Sequence, residues 1–367
     1  MDTISLPVSL GEALDKLTIL DIKLQKIRDD RRQDVQKEYD LLDTTLKSYR
    51  LKYAYYYKLL KEINLEIWEL QDNFHGKDTT AEQGATICKK ILEENDRRFR
   101  VKAKLNHAAA SSLKEQKGYA KRRAFVYSHL GLGDMFWMNG AVRYLATAYD
   151  EVVVVCKERN KVNVAAMYAD DPTIHIFVIE DDYVLHPFPV KRQVIEDQGV
   201  TVYACGQHIP APIHDFPHSF YDDFGLDRST RTRYFHVPES PESLQLYADI
   251  SAISPSYIVV HQQSSTKTLP IWDTVNKKNT DVLIVDVNIN HYPEGHKFHA
   301  AAALAVGKPM LQYKTLLEHA TEIHLLESSL YCFASHLDLS TVKGRYCYDA
   351  YDNSNERLGI FASASLV

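Results

Sequence analysis

Residues 124–134 read AFVYSHLGLGD. An apolar run from Ala124 to Tyr127 gives way to a short polar step, two glycines and Asp134, the strand–loop–helix opening of an α/β unit. Downstream, Met135 to Ala148 reads as the helix, EVVVVC (151–156) as the next buried strand, and His175–Ile179 and Val200–Ala204 as further strands. HIPAPIHDFPHSFYDDFGLD (208–227) is expected to be a connection carrying binding residues. A second alternation starts at Tyr257. YIVVH is a strand, QQSSTK (262–267) a polar turn and DVLIVDV (281–287) a strand. His299–Val306 and Thr315–Ala320 look helical, EIHLLESS (322–329) is a strand running into a Ser-Ser turn, and Leu330–His336 opens a helix. The fold class is α/β, with two successive Rossmann-like domains. Ligands of such sheets bind beyond the carboxyl ends of the strands, where His129–Asp134, His261–Lys267 and Glu327–Ser329 fall.

Upstream the chain is helical. Ser9-Leu10-Gly11-Glu12 matches the S-x-x-E capping box. Leu10, Leu14, Leu17, Leu20, Leu24 and Ile27 then recur at three- and four-residue steps, and DDRRQD (29–34) marks a turn. Tyr39, Leu42, Leu46, Tyr49, Tyr53, Tyr56, Leu60, Ile63, Ile67 and Leu70 make one unbroken heptad seam, with Gly76 as the residue ending that helix. A third, more basic helix covers roughly 81–116. The tyrosine row reads as core and interface rather than as a ligand site. About 32 residues of helix span about 48 Å, more than the first helix can cover. A homodimer through residues 9–75 is therefore expected.

Charge supports a boundary near residue 120. Residues 1–123 carry 25 Lys and Arg against 20 Asp and Glu, and the remainder carries 18 against 29. The whole chain, at −6, lacks the basic excess of a nucleic-acid binder. No apolar run reaches the roughly 18–20 residues of a transmembrane segment, and MDTISLPVSLGEALD lacks the shape of a signal peptide. Cys88, Cys156, Cys205, Cys332 and Cys347 are scattered without a CxxC pair, which implies neither a disulfide framework nor a zinc site. A cytoplasmic location is expected.

Each motif carries a functional and a purely structural reading. Gly131 and Gly133 sit where a chain turns sharply and lets a ligand approach, but the turn is not G-x-G-x-x-G. Asp134 is either a helix cap or a general base. Ser264, Ser265 and Lys267 suit a diphosphate, or form an ordinary polar turn. Ser328 and Ser329, after Glu327, either favour an anion or simply cap a helix. His261 contacts a phosphate or ribose, or packs at its strand end. Asn290, Tyr292, Glu294 and Lys297 lie in a further post-strand loop and would read base or sugar. Among 16 histidines there is no HExxH pair, and His208, His214 and His218 are separated by Pro-rich chain; neither metal nor cofactor is expected.

Residues 122–350 resemble the GT-B-type glycosyltransferases, especially the lipopolysaccharide heptosyltransferases and, more distantly, the fucosyltransferases. Leu132-Gly133-Asp134 is similar to their Gly-Asp turn entering a helix, whose Asp is the catalytic base. Ser264-Ser265-Thr266-Lys267 and Leu269-Pro270-Ile271-Trp272 resemble a rearranged form of their phosphate-binding turn with Lys-x-Trp-Pro. Glu327-Ser328-Ser329 resembles their late Asp-Ser-Gly turn, which contacts the donor. SLGEALDKLTILDIKLQKI (9–27) with NDRRFRVKAKLN (95–106) resembles a small helical domain of unknown function found with bacterial or viral sugar-transfer proteins.

The resemblance implies a helical hairpin or coiled-coil domain over 1–118, an acceptor domain over 119–250, a donor domain over 251–350 and a tail over 351–367. It implies a metal-independent glycosyltransferase using a nucleotide-sugar donor and a glycan or lipid-linked sugar acceptor in polysaccharide biosynthesis. Asp134 would be the base. Gly131, Gly133, His261, Ser264, Ser265, Lys267, Asn290, Glu327, Ser328 and Ser329 would lie on the donor side, and His129, Asp215, His218, Tyr221 and Asp222 on the acceptor side. A non-catalytic nucleotide- or carbohydrate-binding scaffold and a sugar-nucleotide epimerase are the alternatives.

Overall fold

The structure, a computed structural model, describes residues 6–75, 79–118, 120–185, 188–205, 216–279, 281–348 and 357–358. Gly76 and nearly all of the 351–367 tail lie outside them. The chain divides into two compact units: Met1–Arg123 with Tyr144–Val152 and Asp170–His175, and the remainder.

The first unit is helical: α1 (Leu10–Lys26), α2 (Arg32–Lys52), α3 (Ala54–His75) and α4 (Ala81–Ala108). Ser9 caps α1, its hydroxyl accepting from the Glu12 amide at 3.2 Å. The Glu12 side chain does not complete the box, because it pairs with Lys102 on α4. A full capping box forms instead at Thr80 and Gln83, opening α4. That helix ends at Ala108, short of the expected 116.

The heptad seam is not one helix. It breaks at Tyr53, whose backbone (φ −111°, ψ 37°) leaves the helical region between α2 and α3. The α3 part, Tyr56, Leu60, Ile63 and Ile67, is buried, and α3 packs on α1 and α4 of the same chain. A second copy is thus not needed to cover it. Leu41, Tyr49 and Leu51 on α2 stay exposed, as does Phe74 on α3, so self-association through residues 9–75 would draw on these.

The interior of this unit contains paired charge. Asp15 on α1 is 2% exposed. Its carboxylate accepts two hydrogen bonds from Arg98 on α4 and one from Asn64 on α3 at 2.9 Å. Lys104 pairs with buried Asp171, and Arg97 with Glu94. Gly11 permits the α1–α4 contact, since a Cβ there would lie 2.8 Å from the Lys102 carbonyl oxygen.

The α/β alternation lies in the second unit apart from the end of α6 and the first residues of β1, β2 and β3, which fall in the first: β1 (Arg123–Tyr127), α5 (Leu132–Trp137), α6 (Asn139–Ala148), β2 (Glu151–Lys157), α7 (Lys161–Met167), β3 (Ile174–Ile179), α8 (Phe188–Glu196), β4 (Val200–Ala204), α9 (Phe216–Phe224), α10 (Thr230–Arg233), α11 (Pro241–Ile253), β5 (Tyr257–His261), α12 (Ile271–Asn276), β6 (Leu283–Asp286), α13 (His299–Ala305), α14 (Lys314–Glu318), β7 (Glu322–Leu326), α15 (Ser329–Ala334), β8 (Gly344–Tyr348) and the two-residue β9 (Arg357–Leu358). The expected helix after β1 is two helices, parted at Met138. The segment read as a connection contains α9.

The first sheet has the order β3-β2-β1-β4 and the second β6-β5-β7-β8-β9. In the second, β5 pairs in parallel with β6 and β7, and β7 with β8, while β9 is antiparallel. Every residue of β5 and β6 is buried, as expected of strands covered on both faces. Strand progression reverses between β1 and β4 in one sheet and between β5 and β7 in the other. These are topological switch points, where α/β sheets open a crevice.

Removing Asp15 would strand Arg98 and Asn64 beside an apolar interior. Asp15→Ala is expected to cost about 3–5 kcal/mol in urea unfolding, the range for breaking a buried ion pair. A loss below about 1 kcal/mol would mean that Arg98 finds water or another acid.

Candidate functional site

The HLGLGD turn emerges at the first switch point. The Cys205 amide, just past β4, donates to the Tyr127 carbonyl at the end of β1 (3.0 Å), so the carboxyl ends of these strands lie side by side. The sharp turn is made by Leu130, fully buried with φ +63°, and not by either glycine. A left-handed non-glycine residue stores strain of about 1–2 kcal/mol and persists only where neighbours enforce it. Asn160 does so, its side-chain amide donating to the Leu130 carbonyl at 3.0 Å.

The glycines serve close approach instead. A Cβ on Gly131 would lie 2.7 Å from Asp134 Oδ2, and one on Gly133 3.0 Å from Cys332 Sγ and 3.6 Å from Ser329 Cα. Gly133 therefore seats α5 against α15, the helix that follows β7 at the second switch point. Phe136 stacks on Phe333 in the same contact, with centroids 4.8 Å apart.

Asp134 is both a cap and a reactive candidate. Its Oδ2 accepts from the Gly131 amide at 3.1 Å, while Oδ1 has no hydrogen-bond partner among the described residues. Burial raises its pKa, opposed by nearby His129, the Gly131 amide and Lys157. Exposed His129 is thus in electrostatic contact with it.

At the second switch point, His261 ends β5 and is 7% exposed. Burial drives its pKa down to about 4, and Ser328 Oγ lies 3.3 Å from its Nδ1. Ser328 makes no side-chain cap on α15, so its hydroxyl is spent on His261 rather than on helix capping. Glu327 and Ser329 are half-buried on either side.

Other expected residues are engaged elsewhere. The Ser264 hydroxyl accepts from the amides of Thr266 (3.2 Å) and Lys267 (3.0 Å), closing its own turn and occupying two of that turn's backbone amides. Ser265 is exposed and Lys267 half-buried. Asn290 holds its loop, donating to the His299 carbonyl and accepting from the Tyr292 amide. Tyr221 is fully buried and donates to the Trp137 carbonyl at 2.7 Å, so it packs the core instead of meeting an acceptor. Asp222 forms an exposed ion pair with Arg228. His218 faces Arg231, with Nε2 3.5 Å from Nη1. Asp215, His208 and His214 lie outside the described residues.

Sequence reading missed a second cluster. Buried Asp286 at the end of β6 meets His291 Nε2 at 2.8 Å, and the His291 ring stacks on Trp272 at 4.3 Å. Gln262 links them, accepting from the Trp272 amide and lying 3.1 Å from His291. Its one sequence signal was the Trp after Leu269-Pro270-Ile271. Among the described residues, no group of three or more His, Cys, Asp or Glu is placed to hold a metal, and no helix is long and apolar enough to cross a membrane.

Residues 4–128 match a family described as of unknown function, DUF6165. No curated protein matches the chain. Among solved structures, the chain is similar to the iron-containing dodecameric glycosyltransferase TibC from enterotoxigenic E. coli, at 15% identity over 68% of this chain and 64% of that one, with a TM-score of 0.38. A second TibC structure, described as a heptosyltransferase in complex with ADP-D-β-D-heptose, gives 15% identity over 66% and 63% and a TM-score of 0.37. A family 9 glycosyl transferase from Veillonella parvula gives 7% identity over 62% of this chain and 86% of that one, at 0.39. The chain spans less than two thirds of TibC.

The low pKa of His261 fixes a pH dependence. The unfolded chain, with imidazole pKa near ~6.5, takes up a proton before the folded chain does. Stability present above about pH 6.5 is therefore lost between roughly 6.5 and 4, at about 1.4 kcal/mol per pH unit for this group. Urea unfolding at pH 7, 6 and 5 should show the decline, and His261→Gln should make it shallower by this group's share, buried His336 supplying a decline of its own. An identical slope in the variant would place His261 in a folded state that accepts the proton freely.

Proposed function

We propose that the chain is a glycosyltransferase moving a sugar from a nucleotide-sugar donor to a hydroxyl of a glycan or lipid-linked acceptor, built on two GT-B-like Rossmann units. The observation that carries this reading is Asp134: a half-buried carboxylate at the first switch point, raised in pKa, with one oxygen engaged and one open. A carboxylate of raised pKa is a better proton acceptor near neutral pH. The neighbouring Gly133 lies against α15 of the second switch point, which supports one site drawing on both sheets.

In this reaction the acceptor oxygen bonds to the anomeric carbon as the bond from that carbon to the diphosphate oxygen breaks. The diphosphate leaves with the bonding pair, and the hydroxyl proton passes to Asp134 Oδ1. No metal enters this reading, so the leaving charge falls to cationic side chains and backbone amides. Lys267 and the Glu327–Ser329 turn are the donor-side groups the resemblance names. The self-closed Ser264 turn leaves Lys267 as the stronger of the contributors there.

A thermal-shift panel of nucleotide sugars would identify the donor, because a ligand that binds the folded state stabilises it. Asp134→Asn keeps an oxygen for the Gly131 amide but cannot take the proton. It should bind the donor almost as the natural chain does and lose transfer by about a hundredfold or more. Near-normal turnover would reduce Asp134 to a helix cap. Donor binding without hydrolysis or transfer would favour a scaffold, and a changed sugar retained on the nucleotide an epimerase.

A further inference from the structure

Arg231 on α10 is a guanidinium set among an indole and two imidazole rings. Its Cζ lies 4.3 Å from the centre of the Trp137 ring. Its Nε donates to His336 Nε2 at 3.1 Å, and its Nη1 lies 3.5 Å from His218 Nε2. His336 Nδ1 sits 2.8 Å from the Cys332 carbonyl, so that nitrogen carries the hydrogen and Nε2 is the acceptor. His336 is thus neutral, and burial beside Arg231 pushes its pKa down to about 3.

Among the described residues no carboxylate pairs with Arg231, and its Nη2 donates to nothing. Of the acids that precede it along the chain, Asp227 accepts from the Ser229 amide at 2.8 Å and Asp222 is taken by Arg228. A half-buried cation without a counter-charge among the described residues carries a desolvation cost that an anion would relieve.

Its position is fixed from below. A Cβ on Gly140 would lie 2.6 Å from the carbonyl oxygens of Thr230 and Arg231, so α10 rests directly on α6. Asn139 adds two hydrogen bonds to the backbone of His236. Trp137 lies one helical turn beyond Asp134 on α5, and His336 follows α15, whose first residue borders Gly133. The guanidinium is held rigidly at the α5–α15 junction, with open donors.

We propose that Arg231 is an anion-recognition residue that receives a phosphoryl group of the ligand at this junction. The planar fork of Arg matches phosphoryl oxygens in a bidentate manner. The phosphoryl group comes either from the donor diphosphate or from a phosphorylated acceptor sugar. Only that choice rests on the glycosyltransferase reading.

Calorimetry on the full chain with ADP, GDP and UDP, and separately with glucose 6-phosphate, tests it. Arg231→Gln should weaken binding of the relevant probe by about tenfold or more, with Arg231→Lys recovering part. Loss with the nucleotides assigns the donor, and loss with the hexose phosphate alone assigns the acceptor. In the unaltered chain, labelling of Arg231 by phenylglyoxal, read by mass spectrometry, should be suppressed by the bound probe, independently of how the variants fold. Unchanged affinity in Arg231→Gln, unprotected labelling, or no binding of any phosphorylated probe would overturn the proposal. Nucleotide binding that ignores Arg231 would leave the donor reading standing without it. Hexose phosphate binding through Arg231, with no nucleotide bound, would do the reverse.

Discussion

The approach of α5 to α15 at Gly133 is the constraint on which the rest of the site depends. One methyl group there would meet Cys332 Sγ at 3.0 Å, with the Ser329 backbone just behind. A thiol can shift by a few tenths of an ångström, but larger side chains would have to part the helices. Parting them would break the Phe136–Phe333 stack and separate the turn after β1 from the turn after β7. The absence of a side chain at one residue therefore holds two crevice-forming turns in contact.

In the reaction proposed above, Asp134 would combine a structural and a chemical role in one carboxylate. One oxygen satisfies the first free amide of α5, a bond that orients the side chain and fixes its rotamer. The other accepts no hydrogen bond among the described residues, in surroundings that raise the carboxyl group's affinity for a proton. The turn before it is strained at Leu130, and Asn160 from beyond β2 holds the strain in place. Strain that is over-determined by its neighbours keeps a reactive group in one geometry.

The helical unit uses charge in its interior as well as apolar packing. Asp15, Asn64 and Arg98 tie α1, α3 and α4 at one point, and Lys104–Asp171 makes a second buried pair. Such pairs add little net stability over an apolar core but are costly to break. They penalise any register in which the three helices slide past one another. The basic character of α4 is therefore partly internal, which its sequence alone does not reveal.

The α/β alternation was legible because its signals are local: apolar runs such as YIVVH, and a Ser at position 9 whose hydroxyl reaches an amide three residues on. The turns that would carry ligand residues followed from strand ends, and Asp134 stood out at one of them. What tertiary structure alone decided depends on partners distant in the chain. Leu130 turns left-handed because Asn160 holds it, where glycines were the obvious candidates. Tyr221 left the acceptor side because the Trp137 carbonyl, 84 residues away, takes its hydroxyl. Ser264 spends its hydroxyl on its own turn. The heptad periodicity runs on through Tyr53, but the helix does not: it breaks there, and only the α3 part of the row, packed on α1 and α4, is buried. Arg231 gave no signal at all. A guanidinium becomes conspicuous only when folding takes it out of water and, among the described residues, sets no acid against it, and that is a property of the space around it.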